Sequence, residues 1–121
     1  MFAATRPAAV AGTFYPADPD ALSAQIADCL AEASPRDHAS APKILLVPHA
    51  GYIYSGAVAA HAYALLARWR ERIRRVVLLG PTHRVAVRGL AAPSMSAFDT
   101  PLGRVPVDQA AIASLAGLPQ L

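Results

Sequence analysis

Two short, unbroken aliphatic runs constrain the fold of this chain more than any other feature. Lys43-Ile44-Leu45-Leu46-Val47 ends at a proline, and Arg75-Val76-Val77-Leu78-Leu79 ends at Gly80-Pro81. Runs without polar alternation are typical of strands that are covered on both faces, as in a parallel sheet. A helix-forming stretch lies between them. The pattern therefore predicts a βαβ unit with parallel strands, and an α/β fold with a mainly parallel sheet and flanking helices.

Helix signals occur before this unit and within it. Asp18-Pro19-Asp20 combines an N-cap residue, a proline in the first turn and an early carboxylate, which predicts a helix from about residue 19 to 33. Cys29 lies on the apolar stripe of that helix, so we interpret it as a small buried side chain rather than a reactive thiol. Ser55 is expected to cap the second helix.

The carboxyl-terminal part of the sequence is richer in turn residues. Val85 to Ala92 is a candidate third strand, and residues 98–107 predict a turn or hairpin because they contain two prolines and a glycine. Asp108 is expected to cap a short last helix.

The composition excludes several classes of protein. Apolar residues make up 55% of the 121 residues and charged ones 16%, which excludes intrinsic disorder. A single cysteine excludes a disulfide framework or a thiolate zinc cluster within one chain. No apolar run approaches the ~18 residues of a membrane helix, and residues 1–10 lack the apolar core of a signal peptide. We therefore expect one cytoplasmic domain over residues 1–121, without a membrane partner.

The net charge of +3 raises the question of nucleic acid, because five arginines fall within residues 68–75. These cations come where a helix is expected to end, and there they complement the helix dipole while staying solvated. No aromatic platform or recognition motif accompanies them. We therefore do not expect nucleic acid as a partner.

Two histidines follow the two aliphatic runs. His49 comes after Val47-Pro48, and His83 comes after Gly80-Pro81-Thr82. Parallel strands end at the same edge of a sheet, where open α/β folds bind ligands. Neutral imidazole is a common ligand of zinc, iron and copper. The sequence thus predicts that His49 and His83 bind one metal ion, whereas His38 and His61 are expected to be structural or solvated.

The stretch after His49 contains two glycines and two tyrosines. Tyr52 and Tyr54 can donate a phenolic proton to a bound substrate, or they can be half-buried aromatic residues that close a loop. The glycines and the start of the second helix can instead present backbone amides to an anion. The alternative function is therefore a non-catalytic peptide- or anion-binding module that uses the same cleft.

Several motifs resemble the MEMO family, in order and with matching spacing from residue 6 onward. The most specific are the PHAGY sequence and the Gly-Pro-Thr-His sequence. The complete set is Ala11-Gly12-Thr13-Phe14-Tyr15-Pro16, PHAGYIYSG at 48–56, Ala59-Ala60-His61-Ala62-Tyr63, Gly80-Pro81-Thr82-His83 and Thr100-Pro101-Leu102-Gly103.

The resemblance implies a fold and a site. The family is similar in fold to the class III extradiol dioxygenases (LigB-like), which hold non-haem Fe(II) with two histidines and a carboxylate, and its members have cysteine in place of the carboxylate. By motif, His49 and His83 correspond to the two metal-binding histidines. Phe14 and Tyr15 correspond to an aromatic pair that lines the same cleft, where Tyr52 and Tyr54 also fall. The implied cofactor is a divalent metal, Fe(II) first, with Cu and Zn as alternatives.

The sequence also departs from the family. Family members are more than twice as long, and their later half carries the third ligand. Cys29 differs from that ligand in motif and position, and Asp99 is the nearest carboxylate, although short acids in such turns usually bond their own backbone. We therefore expect the amino-terminal half of a larger fold, with catalysis left open. An incomplete sheet exposes an edge and an apolar face, so we expect self-association or a partner chain.

Overall fold

A computed structural model of the chain describes residues 4–36 and 39–120. They form two compact units: one is Val10–Val76, and the other consists of residues 4–9 with residues 77–120. Helices and a small sheet together make the fold α/β, as predicted. His38 lies outside the described residues. None of the helices within the described ranges has the length and apolar character that crossing a bilayer requires.

The first helix of the Val10–Val76 unit forms where the sequence predicts it. Helix α1 spans Pro19–Glu32, and the Asp18 carboxylate caps it by accepting a hydrogen bond from the Ala21 amide at 2.8 Å. Leu22 on its apolar stripe is only 4% exposed. The helix therefore begins where the sequence predicts and ends within one residue of the expected position.

We expect Asp18→Ala to destabilise the protein by about 1 kcal/mol, because the substitution leaves the Ala21 amide without its acceptor. Urea denaturation followed by far-ultraviolet circular dichroism measures the change. Asp18→Asn retains a capping oxygen and is expected to stay near the wild-type value. Asp28→Ala, within the same helix, is the control for loss of one carboxylate; a loss as large as that of Asp18→Ala would contradict the capping role.

The second helix begins four residues earlier than predicted, because Gly51 rather than Ser55 is its N-cap residue. Helix α2 spans Tyr52–Tyr63 and continues as a 3₁₀ helix over Ala64–Arg72. Gly51 is the N-cap residue, and the Tyr52 amide donates to the Phe14 carbonyl at 2.8 Å. Because this tertiary hydrogen bond satisfies a first-turn amide, no capping side chain is needed. Ser55 lies inside the helix instead, where its hydroxyl donates to the Ala50 carbonyl at 3.0 Å.

Helices α1 and α2 pack closely because small residues lie between them. A Cβ atom at Gly56 would lie 3.3 Å from the Cys29 Sγ atom. Ala60 is only 4% exposed and Ser55 only 7%. The buried part of this unit thus consists mainly of small side chains, together with Leu22.

The second unit contains the sheet. Strands β1 (Thr5–Arg6), β2 (Ala97–Thr100) and β3 (Gly103–Pro106) lie in the order β1-β2-β3. Strand β1 pairs parallel with β2, and β2 pairs antiparallel with β3, so the sheet is mixed rather than mainly parallel. The β2–β3 pair is the predicted hairpin.

A short helix follows the hairpin, as predicted. Helix α3 spans Gln109–Ser114, and the Asp108 carboxylate accepts from the Ala111 amide at 2.9 Å. The Gln109 side chain donates to the Met95 carbonyl at 2.6 Å, which ties the start of the helix to the residues before β2.

Neither aliphatic run belongs to a strand, which differs from the prediction of two buried strands. Burial alternates in the first run: Ile44 is 86% and Leu46 is 97% exposed, while the side chains between and after them are half-buried. In the second run Val76 to Leu79 are 74–86% exposed. A strand requires a neighbour for its backbone groups, and the strands of the described residues pair with one another.

The candidate third strand is also absent from the described residues between 85 and 92. Gly89 adopts a φ of +79°, which is left-handed backbone that interrupts a strand. The next amide, of Leu90, donates to the Gln120 carbonyl at 2.5 Å. The segment is therefore held by the carboxyl-terminal residues rather than by a sheet.

Candidate metal and aromatic site

A tight turn presents the first pair of aromatic residues. The amides of Thr13 and Phe14 both donate to the Val10 carbonyl, at 3.1 and 2.9 Å, and the Gly12 amide donates to the Tyr15 carbonyl at 2.7 Å. These bonds fix the backbone at Phe14, whose carbonyl then accepts from the Tyr52 amide. The turn thus joins the AGTFYP motif to the start of α2.

Three of the four predicted cleft aromatics meet at this junction. The rings of Tyr15 and Tyr52 lie 5.7 Å apart, with their planes inclined by 56°. Phe14 adjoins them through its backbone and is 48% exposed. Tyr54, in contrast, is 80% exposed. A role for any of the four in binding substrate stays a prediction.

Burial raises the pKa of the Tyr52 phenol, and Tyr15, Tyr63 and Cys29 raise this pKa further by charge repulsion. The phenol is therefore a hydrogen-bond donor at neutral pH. Neither Tyr63 nor Cys29 was expected near Tyr52. For Tyr63 the signal is the spacing of Tyr52, Gly56 and Tyr63, which are four and seven residues apart and so share one face of α2. Cys29 belongs to α1, so the periodicity of α2 could not indicate its approach.

The raised pKa of Tyr52 predicts an alkaline loss of stability. The folded state holds the phenolic proton more tightly than the unfolded state, so stability falls as the pH rises above about 10. Absorbance titration of the tyrosinates should show that Tyr52→Phe removes a component with a raised midpoint. Tyr54→Phe, at an exposed position, is the control and should leave that component in place. Removal of the same component by both substitutions would contradict the assignment.

The two predicted metal ligands lie in different units of the structure. His49 belongs to the Val10–Val76 unit and is exposed, two residues before the Gly51 cap. His83 belongs to the other unit and is exposed in a segment without helix or strand. Across residues 4–36 and 39–120, no three His, Cys, Asp or Glu side chains gather closely enough to hold a metal ion. The chemistry of two imidazoles fits a metal, but the donor set of the described chain is incomplete.

Neither Asp99 nor Cys29 completes this set. The Asp99 carboxylate accepts from the Arg104 guanidinium at 2.8 Å across the β2–β3 hairpin, rather than bonding its own backbone. Cys29 lies at the contact of α1 with α2, facing Gly56. Asp99 thus takes part in a hairpin ion pair and Cys29 in helix packing, which are structural roles.

The start of α2 has little capacity left for an anion. The Tyr52 amide donates to Phe14, and the amides of Tyr54 and Ser55 donate to the Gly51 carbonyl at 2.9 and 3.1 Å. Amides that already have protein acceptors do not bind a phosphate or carboxylate without losing those bonds. This geometry disfavours the anion-binding alternative.

A shallow groove of about 410 Å³ lies elsewhere in the Val10–Val76 unit. The groove is formed by the residues before the first aliphatic run and by the end of the 3₁₀ helix, and its lining consists of Ala39, Ser40, Ala41, Trp69, Arg72 and Ile73. None of the predicted site residues lines it.

Comparison with known proteins agrees with the motifs. The family model described as Memo-like protein matches residues 6–120. A MEMO1 family protein of Aquifex aeolicus is 43% identical over 103 residues, which cover 85% of this chain and 36% of that protein. The memo-1 homolog of Caenorhabditis elegans is 39% identical over 86% of this chain and 29% of its own length. The MEMO1 protein of Xenopus laevis is 38% identical over 86% of this chain and 34% of its own length. The chain thus spans about a third of the length of these relatives.

Proposed function

Since the chain belongs to the Memo-like protein family, we propose that it is a metal-binding protein related to the non-haem iron extradiol dioxygenases. In this proposal His49 and His83 are two ligands of one mononuclear metal ion. The observation that carries it is that both histidines occur in specific motifs, PHAGY and Gly-Pro-Thr-His, inside the matched range. Exposure of both side chains supports it, because a ligand must be accessible to the ion.

The finer features of the fold belong to the same proposal. We infer a LigB-like arrangement in which this chain corresponds to one part of a larger, mainly parallel sheet. A cytoplasmic location is also part of the proposal, and the single cysteine supports it, because secreted domains of this size commonly depend on disulfides.

The proposed metal is divalent, with Fe(II) favoured and Cu or Zn as alternatives, since imidazole suits all three. When bound, such an ion acts as a Lewis acid or redox centre. Two imidazoles alone bind weakly and select poorly, so the remaining positions fall to water or to groups from another polypeptide. Tyr15 and Tyr52 are the residues that we expect to orient a substrate, because the Tyr52 phenol keeps its proton at neutral pH.

Equilibrium dialysis of the tag-free chain tests the ligands. Zn²⁺ serves as a redox-stable probe and Fe²⁺ is used under anaerobic conditions, with bound metal measured by ICP-MS. We expect His49→Ala/His83→Ala to lower the affinity at least roughly tenfold, because the imidazoles are the only protein ligands proposed. His61→Ala is the matched control, since His61 is an exposed histidine on α2. Equal metal binding by wild type and the double variant would overturn the assignment.

A second candidate is a non-catalytic peptide-binding module. The observation that favours it is the exposure of Ile53 and Tyr54, at 78% and 80%, beside the half-exposed Phe14. Dioxygen uptake with a panel of catechols and ferrous iron, compared with peptide capture in the absence of metal, separates the two functions. Capture that is lost in Tyr54→Ala, without any dioxygen uptake, would favour the module.

A further inference from the structure

An aromatic ring lies among the arginines near the end of the 3₁₀ helix. The central carbon of the Arg72 guanidinium lies 5.3 Å from the centroid of the Trp69 ring, which is within the range of a cation–π contact. Residues three apart share a face of a 3₁₀ helix, so these two side chains can stack. The half-buried indole therefore has a planar cation packed against it.

This stacked pair lines the shallow groove of the Val10–Val76 unit. Ile73 adds an apolar side chain, and Ala39, Ser40 and Ala41 form the rest of the lining. Because alanine and serine are small, a flat group can approach the backbone of this segment closely. The volume of about 410 Å³ lies within the usual range of ligand sites. The groove therefore suits a planar aromatic group that stacks on the indole or on the guanidinium.

The chain around the groove is strongly basic. Residues 68–75 contain five arginines and one acidic residue, Glu71, so the segment has an excess of four positive charges. The Glu71 carboxylate accepts from Arg70 at 3.1 Å in an exposed ion pair. Because a 3₁₀ helix rises about 2 Å per residue, Arg68 and Arg72 are roughly 8 Å apart along it. Positive charges spread along a segment suit a polyanion better than a single anionic group.

We propose that this groove, together with the arginines of residues 68–75, binds single-stranded nucleic acid. An unpaired base stacks in the groove on Trp69 and Arg72, and the phosphates on either side of this base contact the neighbouring arginines. A duplex keeps its bases paired and offers none to the groove. An acidic peptide satisfies the arginines, but its carboxylates have no ring that could stack on the indole.

The sequence pattern does not predict this partner, because it places the arginines at the solvated end of an α-helix without an aromatic platform. The structure differs in both respects, since residues 64–72 form a 3₁₀ helix and Trp69 provides the platform. The described residues that line the groove include neither of the predicted metal ligands and none of the four cleft aromatics. This proposal and the proposed function therefore fail independently.

Trp69 is the only tryptophan of the sequence, so its intrinsic fluorescence reports on this groove alone. We expect an unlabelled oligothymidylate of about ten nucleotides to quench the fluorescence of the full 121-residue chain, because its bases stack on the ring. Raising the salt concentration from about 50 to about 200 mM should weaken binding roughly tenfold, as two to three neutralised phosphates require. Absence of quenching at the lower salt concentration would overturn the proposal. Equally tight binding of a DNA duplex or of polyglutamate would also overturn it.

Fluorescence anisotropy of a labelled oligothymidylate compares variants of the full chain. Arg72→Ala should weaken binding roughly tenfold and leave the circular dichroism unchanged, because the Arg72 side chain is exposed. Trp69→Ala should weaken binding by a similar factor, whereas Trp69→Phe keeps an aromatic ring and should bind within a few-fold of wild type. Arg88→Ala removes an exposed arginine from the other unit and is the matched control, which should bind like wild type. An equal loss in Arg88→Ala and Arg72→Ala would show binding through net charge alone and would overturn the proposal.

Discussion

Leu22→Ala is expected to lower the free energy of unfolding by about 2–5 kcal/mol, the range for removing a buried leucine side chain. Leu22 is 4% exposed, and the other strongly buried residues of the Val10–Val76 unit are small. Removing the side chain of a residue this buried leaves a cavity, which adds to the lost transfer free energy. Urea denaturation followed by circular dichroism measures the effect.

Leu30→Ala is the matched control for this substitution. Leu30 lies on the same helix and is 40% exposed, so the same deletion should cost much less. Equal costs at the two positions would show that the burial of Leu22 does not make it a larger contributor to stability than Leu30.

Gly56→Val is expected to cost about 1–3 kcal/mol through overpacking. A Cβ atom at this position would already lie 3.3 Å from Cys29 Sγ, and the branched methyl groups of valine require still more space. The helices must separate, or one side chain must leave its preferred rotamer. Thermal or chemical denaturation measures the loss.

Two further variants separate overpacking from helix propensity. Ala57→Val introduces the same side chain at the adjacent, exposed position and should cost less than about 1 kcal/mol. Cys29→Ala removes the opposing sulfur atom, so the double variant should recover about 1 kcal/mol relative to the sum of the single changes. Strict additivity would indicate that Gly56 and Cys29 do not interact.

Local sequence signals predicted the elements whose determinants are local. Asp18 and Asp108 cap the helices that their positions indicate, and the turn residues between 98 and 107 produce the β2–β3 hairpin. In each case the stabilising hydrogen bond joins residues only three positions apart, or a strand to its immediate neighbour.

Where the structure differs from the elements predicted from the sequence, tertiary contacts account for the difference. The start of α2 depends on the Phe14 carbonyl, which is distant in sequence from Tyr52 and leaves no capping signature at residues 51–52. Strand β1 has two residues, too few to show any periodicity. The aliphatic runs have strand composition, but a strand is defined by its strand neighbours, and none of the three strands among the described residues pairs with residues 43–47 or 76–79. The composition of a segment indicates its preference for strand conformation, but it does not supply the neighbouring strand with which it must pair.

The candidate site also has a part that sequence motifs predicted and a part that depends on tertiary contacts. Motifs alone identified Phe14, Tyr15 and Tyr52, and the structure brings these three together. The environment of Tyr52 followed only from the structure, because Cys29 approaches it from another helix. The ligand roles of His49 and His83 stay predictions, since they depend on groups that the described residues do not contribute.

The pairing of β1 with β2 has a consequence for the order of folding. Two residue pairs, Thr5 with Ala97 and Arg6 with Phe98, close a loop of about 90 residues. Closing a flexible loop of that length costs about 4 kcal/mol in chain entropy, while each backbone hydrogen bond returns only about 1 kcal/mol. We therefore expect the amino-terminal strand to join after the intervening residues have ordered, and to be the first part of the sheet to fray.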